Sequence, residues 1–116
     1  MNLVLTGATG FVGKALVTDF LTKACEVKAL VRQSSVELPL SVKQIAVGEL
    51  ADLALDHSTG FLREAFNGVE VVVHAAARVH VMNDDASNPL TEFRKVNRDA
   101  TLVLARLAAE SGVKRF

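Results

Sequence analysis

The amino-acid sequence predicts an α/β fold, a doubly wound parallel sheet, on three observations. Short apolar runs alternate with helical patterns along the whole chain. The first run ends directly in a glycine-rich turn, and a long amphipathic segment closes the sequence. No repeat, low-complexity tract or linker interrupts the alternation, so 116 residues make one domain with its own core. Strand, helix and strand in succession imply right-handed crossovers between parallel strands.

The elements follow in order. "NLVLT" (2–6) is a short apolar run ending in a glycine turn, as suits a buried parallel strand. Val12, Leu16 and Phe20 then recur every four residues beside Val17 and Leu21, one helix stripe with Lys14, Thr18 and Asp19 opposite. "EVKALV" (26–31) is a second strand, "QSSVELPLS" a polar loop and "VKQIAV" (42–47) a third strand. "STGFLREAF" (58–66) reads as a short helix that stops at Asn67-Gly68. "VEVVVHAAA" (69–77) is the most apolar strand and is expected at the centre of the sheet. After the polar "VHVMNDDASN", a long helix is expected over 89–112, with Pro89 near its first turn and Gly112 as its stop. The final "VKRF" reads as the opening of a fifth strand, so the sheet is expected to be truncated there and the chain to be part of something longer.

Composition narrows the function. Thirteen basic and 13 acidic residues cancel, which gives no electrostatic footprint for nucleic acid or an anionic membrane. The longest apolar stretch, "VEVVVHAAARVHVM", is broken by Glu70, His74, Arg78 and His80 and does not read as a membrane span. "MNLVLTG" has neither a basic n-region nor a cleavage site, and the single Cys25 excludes an intramolecular disulfide; a cytoplasmic location is expected.

The glycines of "LTGATGFVGKAL" (5–16) pose a choice between two phosphate ligands. A triphosphate loop needs G-x-x-x-x-G-K-[ST], but position 8 is alanine and Gly13-Lys14 is followed by Ala15, which has no hydroxyl. The alternative is Gly7, Gly10 and Gly13 directly after a strand, the dinucleotide spacing of a Rossmann-type fold. Gly7 would allow the tight turn, Gly10 the approach of a pyrophosphate, and Gly13 the packing of helix on sheet. The N–H groups around Phe11 and Val12 would then face the anion at a helix N-terminus.

At the end of the second strand, NAD-specific domains place an acid for the ribose 2′-OH. Here Val31 and then Arg32 stand at about that place. A guanidinium suits a 2′-phosphate, which leans the reading to NADP over NAD; the other reading of Arg32 is a solvated residue past a strand.

"TGATGFVG" resembles the N-terminal signature of the extended short-chain dehydrogenase/reductases, the NAD(P)-dependent epimerase/dehydratase group. "VGEL" (47–50), "VVVHAAA" (71–77), "VNRDATLVL" (96–104) and "SGVKRF" resemble further stretches of that family in order, with Ala100 replacing its usual glycine. The resemblance implies that Gly7, Gly10, Phe11 and Val12 hold the pyrophosphate, with Thr9 a cofactor-binding residue of the same loop. It implies that Glu49 accepts from the adenine amino group beside the Leu50 backbone, and that Ala75, Ala76 and Ala77 line the cofactor path. Asn97 would bridge helix and sheet or order water there; its other reading is a plain helix-surface amide.

The family's chemistry needs a Tyr acid/base, a Lys four residues later and a Ser or Thr, all beyond the fifth strand. The sequence contains no tyrosine, so the chain is expected to carry the cofactor half of the site and to be inactive alone. The resemblance implies a nucleotide-sugar substrate for the whole protein, with a dimer formed through helices including 89–112. A carbonyl reductase of the same family and a non-catalytic dinucleotide sensor are the competing functions.

The remaining features read plainly. His74 is expected to be a buried, hydrogen-bonded histidine rather than a catalytic one. Arg78 and His80 either face the nicotinamide or substrate, or are solvated. His57, His74 and His80 show no ligand spacing with Cys25 or carboxylates, Cys25 has no activating neighbour, and Asp84-Asp85 solvates a loop. Phe11, Phe20, Phe61, Phe66 and Phe93 are expected in the core or against helices.

Overall fold

Near-continuous burial along its first two strands marks a sheet covered on both faces. The computed structural model describes residues 1–53, 60–77 and 89–116, and among them four parallel strands pair in the order β3-β2-β1-β4. These are β1 (Asn2–Thr6), β2 (Glu26–Val31), β3 (Lys43–Ala46) and β4 (Val71–His74). Helix α1 (Phe11–Thr22) follows β1, a 3₁₀ turn at Leu50–Asp52 follows β3, and α2 (Gly60–Ala65) precedes β4. One continuous helical run then comprises α3 (Pro89–Arg94), a π-helical turn (Lys95–Asp99) and α4 (Ala100–Glu110).

Side chains alternate across each strand, so two cores form. On one face Leu3 and Leu5 of β1 join Val27, Ala29 and Val31 of β2 and Val17 of α1. On the other, Val4 and Leu30 meet Leu62, Phe66, Leu104 and Leu107 from the α2 and α4 regions. Each large apolar side chain buried in this way contributes about 1.5–3 kcal/mol. Lys28 points to the second face as well; its ammonium donates to the carbonyls of Ala65 and Asn67 at 3.2 and 3.4 Å, closing the end of α2.

Three expectations change. The most apolar strand, β4, is the outermost of the four rather than central. Its apolar run reflects the cover of its two faces. On its free flank, among the described residues, Val71 and Arg115 form a parallel bridge, with the Val72 N–H donating to the Arg115 carbonyl at 2.9 Å. The helix expected over 89–112 ends at Glu110 and contains the π turn, where the Ala100 N–H donates to the Lys95 carbonyl five residues back. The third strand and the 58–66 helix are shorter than expected, and residues 58 and 59 lie outside the described residues.

Candidate functional site

The carboxyl ends of β1, β2 and β4 surround a cleft of about 670 Å³. The strand order reverses between β1 and β4, the place where doubly wound sheets hold their ligands. Gly7 to Gly13 line it from β1 and α1, Leu30 to Arg32 from β2, and Val47 to Leu50 from the turn after β3. Ala75 to Ala77 and Val96 complete it.

The three glycines play different parts. Gly7 has φ +74°, and a Cβ there would come within 2.7 Å of both the Ala75 carbonyl carbon and the Ala76 nitrogen. The turn therefore rests directly on the backbone leaving β4. A Cβ on Gly13 would overlap the Gly7 carbonyl oxygen and lie 2.6 Å from its carbon and 2.8 Å from Ala8 Cα. Gly13 thus seats α1 on the turn itself rather than on the sheet. Gly10 is under no such constraint: its Cβ would meet nothing nearer than the Gly7 oxygen, at 3.4 Å. The fold alone does not require glycine at position 10. Gly10 also supplies no capping side chain to α1, which leaves the first-turn N–H groups to an anion or water.

Phe11, expected in the core or against a helix, is 96% exposed, and Val12 is 60% exposed. Both sit on the helix turn that projects past the sheet at the cleft. The buried stripe of α1 starts lower, at Gly13 and Val17, with Leu16, Phe20 and Leu21 partly buried. Phe66 is fully buried and Phe93 partly so.

Arg32 and Glu49, read separately in the sequence, are neighbours. The Arg32 Nη1 lies 3.6 Å from Glu49 Oε1, an exposed pair worth at most about 1 kcal/mol. Glu49 stands immediately before the 3₁₀ turn that begins with Leu50.

Asn97 does not line the cleft, although its neighbour Val96 does. Its main chain is nevertheless tied to the sheet. The Thr101 hydroxyl lies 3.2 Å from the Asn97 carbonyl and 2.9 Å from His74 Nε2. His74 Nδ1 lies 2.6 Å from Thr6 Oγ1, which accepts from the Ala76 N–H at 3.2 Å. His74 is thus partly buried and hydrogen-bonded at both ring nitrogens. Its expected partners were invisible in the sequence, because Thr6 and Thr101 are 68 and 27 residues away.

Burial holds the His74 pKa below its ordinary value of 6.5. The unfolded chain therefore takes up this proton first as pH falls. Stability from the neutral ring is present in full above about pH 6.5 and is lost as pH drops through the lower folded value. Urea midpoints across that window are expected to fall toward acid in the unmodified chain, and less steeply in His74→Leu. Identical slopes in the two would contradict the assignment.

Eleven of the residues singled out in the sequence — Gly7, Thr9, Gly10, Phe11, Val12, Arg32, Glu49, Leu50 and Ala75 to Ala77 — share this cleft, and Asn97 stands outside it. Sequence reasoning missed Val96, the apolar residue beside Asn97, and the pairing of Thr6 with Thr101 through His74. Arg78, His80, His57 and the Asp84-Asp85 pair lie outside the described residues. Among the described residues no group of histidines, cysteines and carboxylates is placed to hold a metal, and no helix is long and apolar enough to cross a membrane.

A four-strand parallel sheet wound on both faces, with a glycine turn after its first strand, defines a Rossmann-type domain of the short-chain dehydrogenase/reductase class. The chain belongs to the NAD dependent epimerase/dehydratase family, whose profile matches residues 3–116. It is 40% identical over 115 residues to a UDP-glucose 4-epimerase of Vibrio cholerae, covering 99% of this chain and 33% of that protein. It is 34% identical over 123 residues to a dihydroflavonol 4-reductase of Hordeum vulgare, covering 98% of this chain and 33% of the relative. Among solved structures, the UDP-glucose 4-epimerase of Thermus thermophilus in complex with NAD superposes with a TM-score of 0.74 at 27% identity. That match covers 97% of this chain and 35% of the other. The chain spans about a third of the length of these proteins.

Proposed function

We propose that the chain is the dinucleotide-binding portion of an NAD(P)-dependent nucleotide-sugar epimerase or dehydratase acting in the cytoplasm. The observation that carries this reading is Gly10. It is a glycine the fold leaves free, placed where bare backbone and first-turn N–H groups border a cleft at the switch point. The cradle fits a pyrophosphate between Gly7 and Val12, an adenine beside Glu49 and Leu50, and the cofactor's phosphate and ribose region along Ala75 to Ala77. The chemistry such a cofactor supplies is acceptance of a hydride from a sugar carbon and its return. This chain's own part is to bind and orient it. With no tyrosine, the chain has no Tyr/Lys acid–base pair and is inactive alone.

Arg32 favours NADP over NAD, because its planar fork suits a 2′-phosphate. Calorimetric titration is expected to give tighter binding of NADP⁺ than of NAD⁺, with Arg32→Ala removing about tenfold of that preference, as for loss of one charge-assisted contact. Equal affinities indifferent to the variant would overturn the Arg32 assignment and favour an NAD-dependent enzyme. Exposed Leu90 and Leu102 on the 89–110 helical run suit a homodimer face. The barley relative favours one second reading, a carbonyl reductase on the same cofactor cradle.

A further inference from the structure

We propose that His74 is a positioning residue, held as the neutral Nε2–H tautomer in a one-way chain of hydrogen bonds that locks the floor of the cleft to the π-helical turn. The direction of the chain is forced from one end. A backbone amide can only donate, so the Ala76 N–H gives its hydrogen to Thr6 Oγ1. Thr6 is 1% exposed, and among the described residues its hydroxyl has one other partner, His74 Nδ1 at 2.6 Å. The Thr6 hydrogen therefore goes to Nδ1, which must be unprotonated. The neutral ring then carries its hydrogen on Nε2 and donates it to Thr101 Oγ1 at 2.9 Å. Thr101 in turn gives its hydroxyl hydrogen to the Asn97 carbonyl at 3.2 Å. Each of the three side chains, Thr6, His74 and Thr101, thus accepts once and donates once.

One end of the chain lies in the cleft and the other adjoins it. Ala76 lines it directly, and Asn97 follows Val96, which lines it from the helical run. Their separation is thus fixed through one imidazole rather than through packing alone. The extra-wide turn at Lys95–Asp99 is where the Asn97 carbonyl takes the Thr101 hydroxyl instead of serving the helix alone. Burial, which disfavours the imidazolium, keeps the ring in the one protonation state that fits. A charged ring would aim an Nδ1–H at Thr6 and leave the Thr6 hydroxyl hydrogen without an acceptor.

The consequence for cofactor binding rests on the dinucleotide reading above; the chain of hydrogen bonds does not. The test is nitrogen-15 NMR of the His74 ring near pH 7.5 in the unmodified chain and in Thr101→Val, which keeps shape and removes the hydroxyl. The expected result is a pyrrole-like Nε2 and a pyridine-like Nδ1, and a shifted Ala76 amide resonance in Thr101→Val that Thr101→Ser restores. NAD⁺ affinity is expected to fall about fivefold in Thr101→Val, the worth of one neutral hydrogen bond, and to recover in Thr101→Ser. An Nδ1–H tautomer, or an Ala76 amide indifferent to Thr101→Val, would overturn the proposal whether or not a cofactor binds. If tautomer and shift are as expected but the unmodified chain binds neither NAD⁺ nor NADP⁺, the proposal stands and the dinucleotide reading falls.

Discussion

Gly13→Ala is expected to unfold at markedly lower urea than the unmodified chain and to lose dinucleotide binding. The added methyl would overlap the Gly7 carbonyl oxygen and crowd Ala8 Cα, both main-chain atoms with no rotamer to give way. Either α1 lifts off the turn or the turn shifts on Ala75 and Ala76. The loss is expected at the top of the range for an overpacked methyl, about 3 kcal/mol. Gly10→Ala provides the contrast, because its Cβ finds ordinary room against the protein. That variant is expected to keep its urea midpoint while weakening binding of the pyrophosphate. Equal midpoints for Gly13→Ala and the unmodified chain would show that the contact with Gly7 does not set the loop.

Phe66→Ala carries the other large effect. Phe66 is fully buried at the end of α2, in the core it shares with Val4, Leu30, Leu62 and Leu104. Truncation removes most of a ring where strands and two helical segments all converge, leaving little that can collapse into the gap. The expected cost is about 3–5 kcal/mol, a large share of the roughly 5–15 kcal/mol by which domains of this size are stable. It is read as a shift in urea midpoint at unchanged slope. A loss within the roughly 0.5 kcal/mol typical of a surface substitution would contradict the packing.

Most of this was legible locally. Strands β1 and β2 announce themselves by their apolar runs, and the glycine spacing after β1 marks the turn that opens α1. What stayed hidden was non-local. The apolar run of β4 reports cover of its two faces, and no residue in it tells how many strands flank it. Phe11 looks like a core residue by type, yet its place on the first turn of α1 carries it past the sheet. The π turn has no proline or glycine to mark it in "KVNRD". His74 could be read as satisfied, but not by whom, since Thr6 and Thr101 come from other elements altogether.

The seating of Gly13 on Gly7 also bears on how quickly a ligand is captured. Close main-chain approaches, Gly13 against Gly7 and Gly7 against Ala75 and Ala76, and the Gly10 N–H bond to the Gly7 carbonyl shape the loop without a ligand. A preorganised anion cradle spares the ligand the entropic toll of ordering a loose segment. Association should then follow a single exponential that rises linearly with ligand concentration, with no slow isomerisation after encounter.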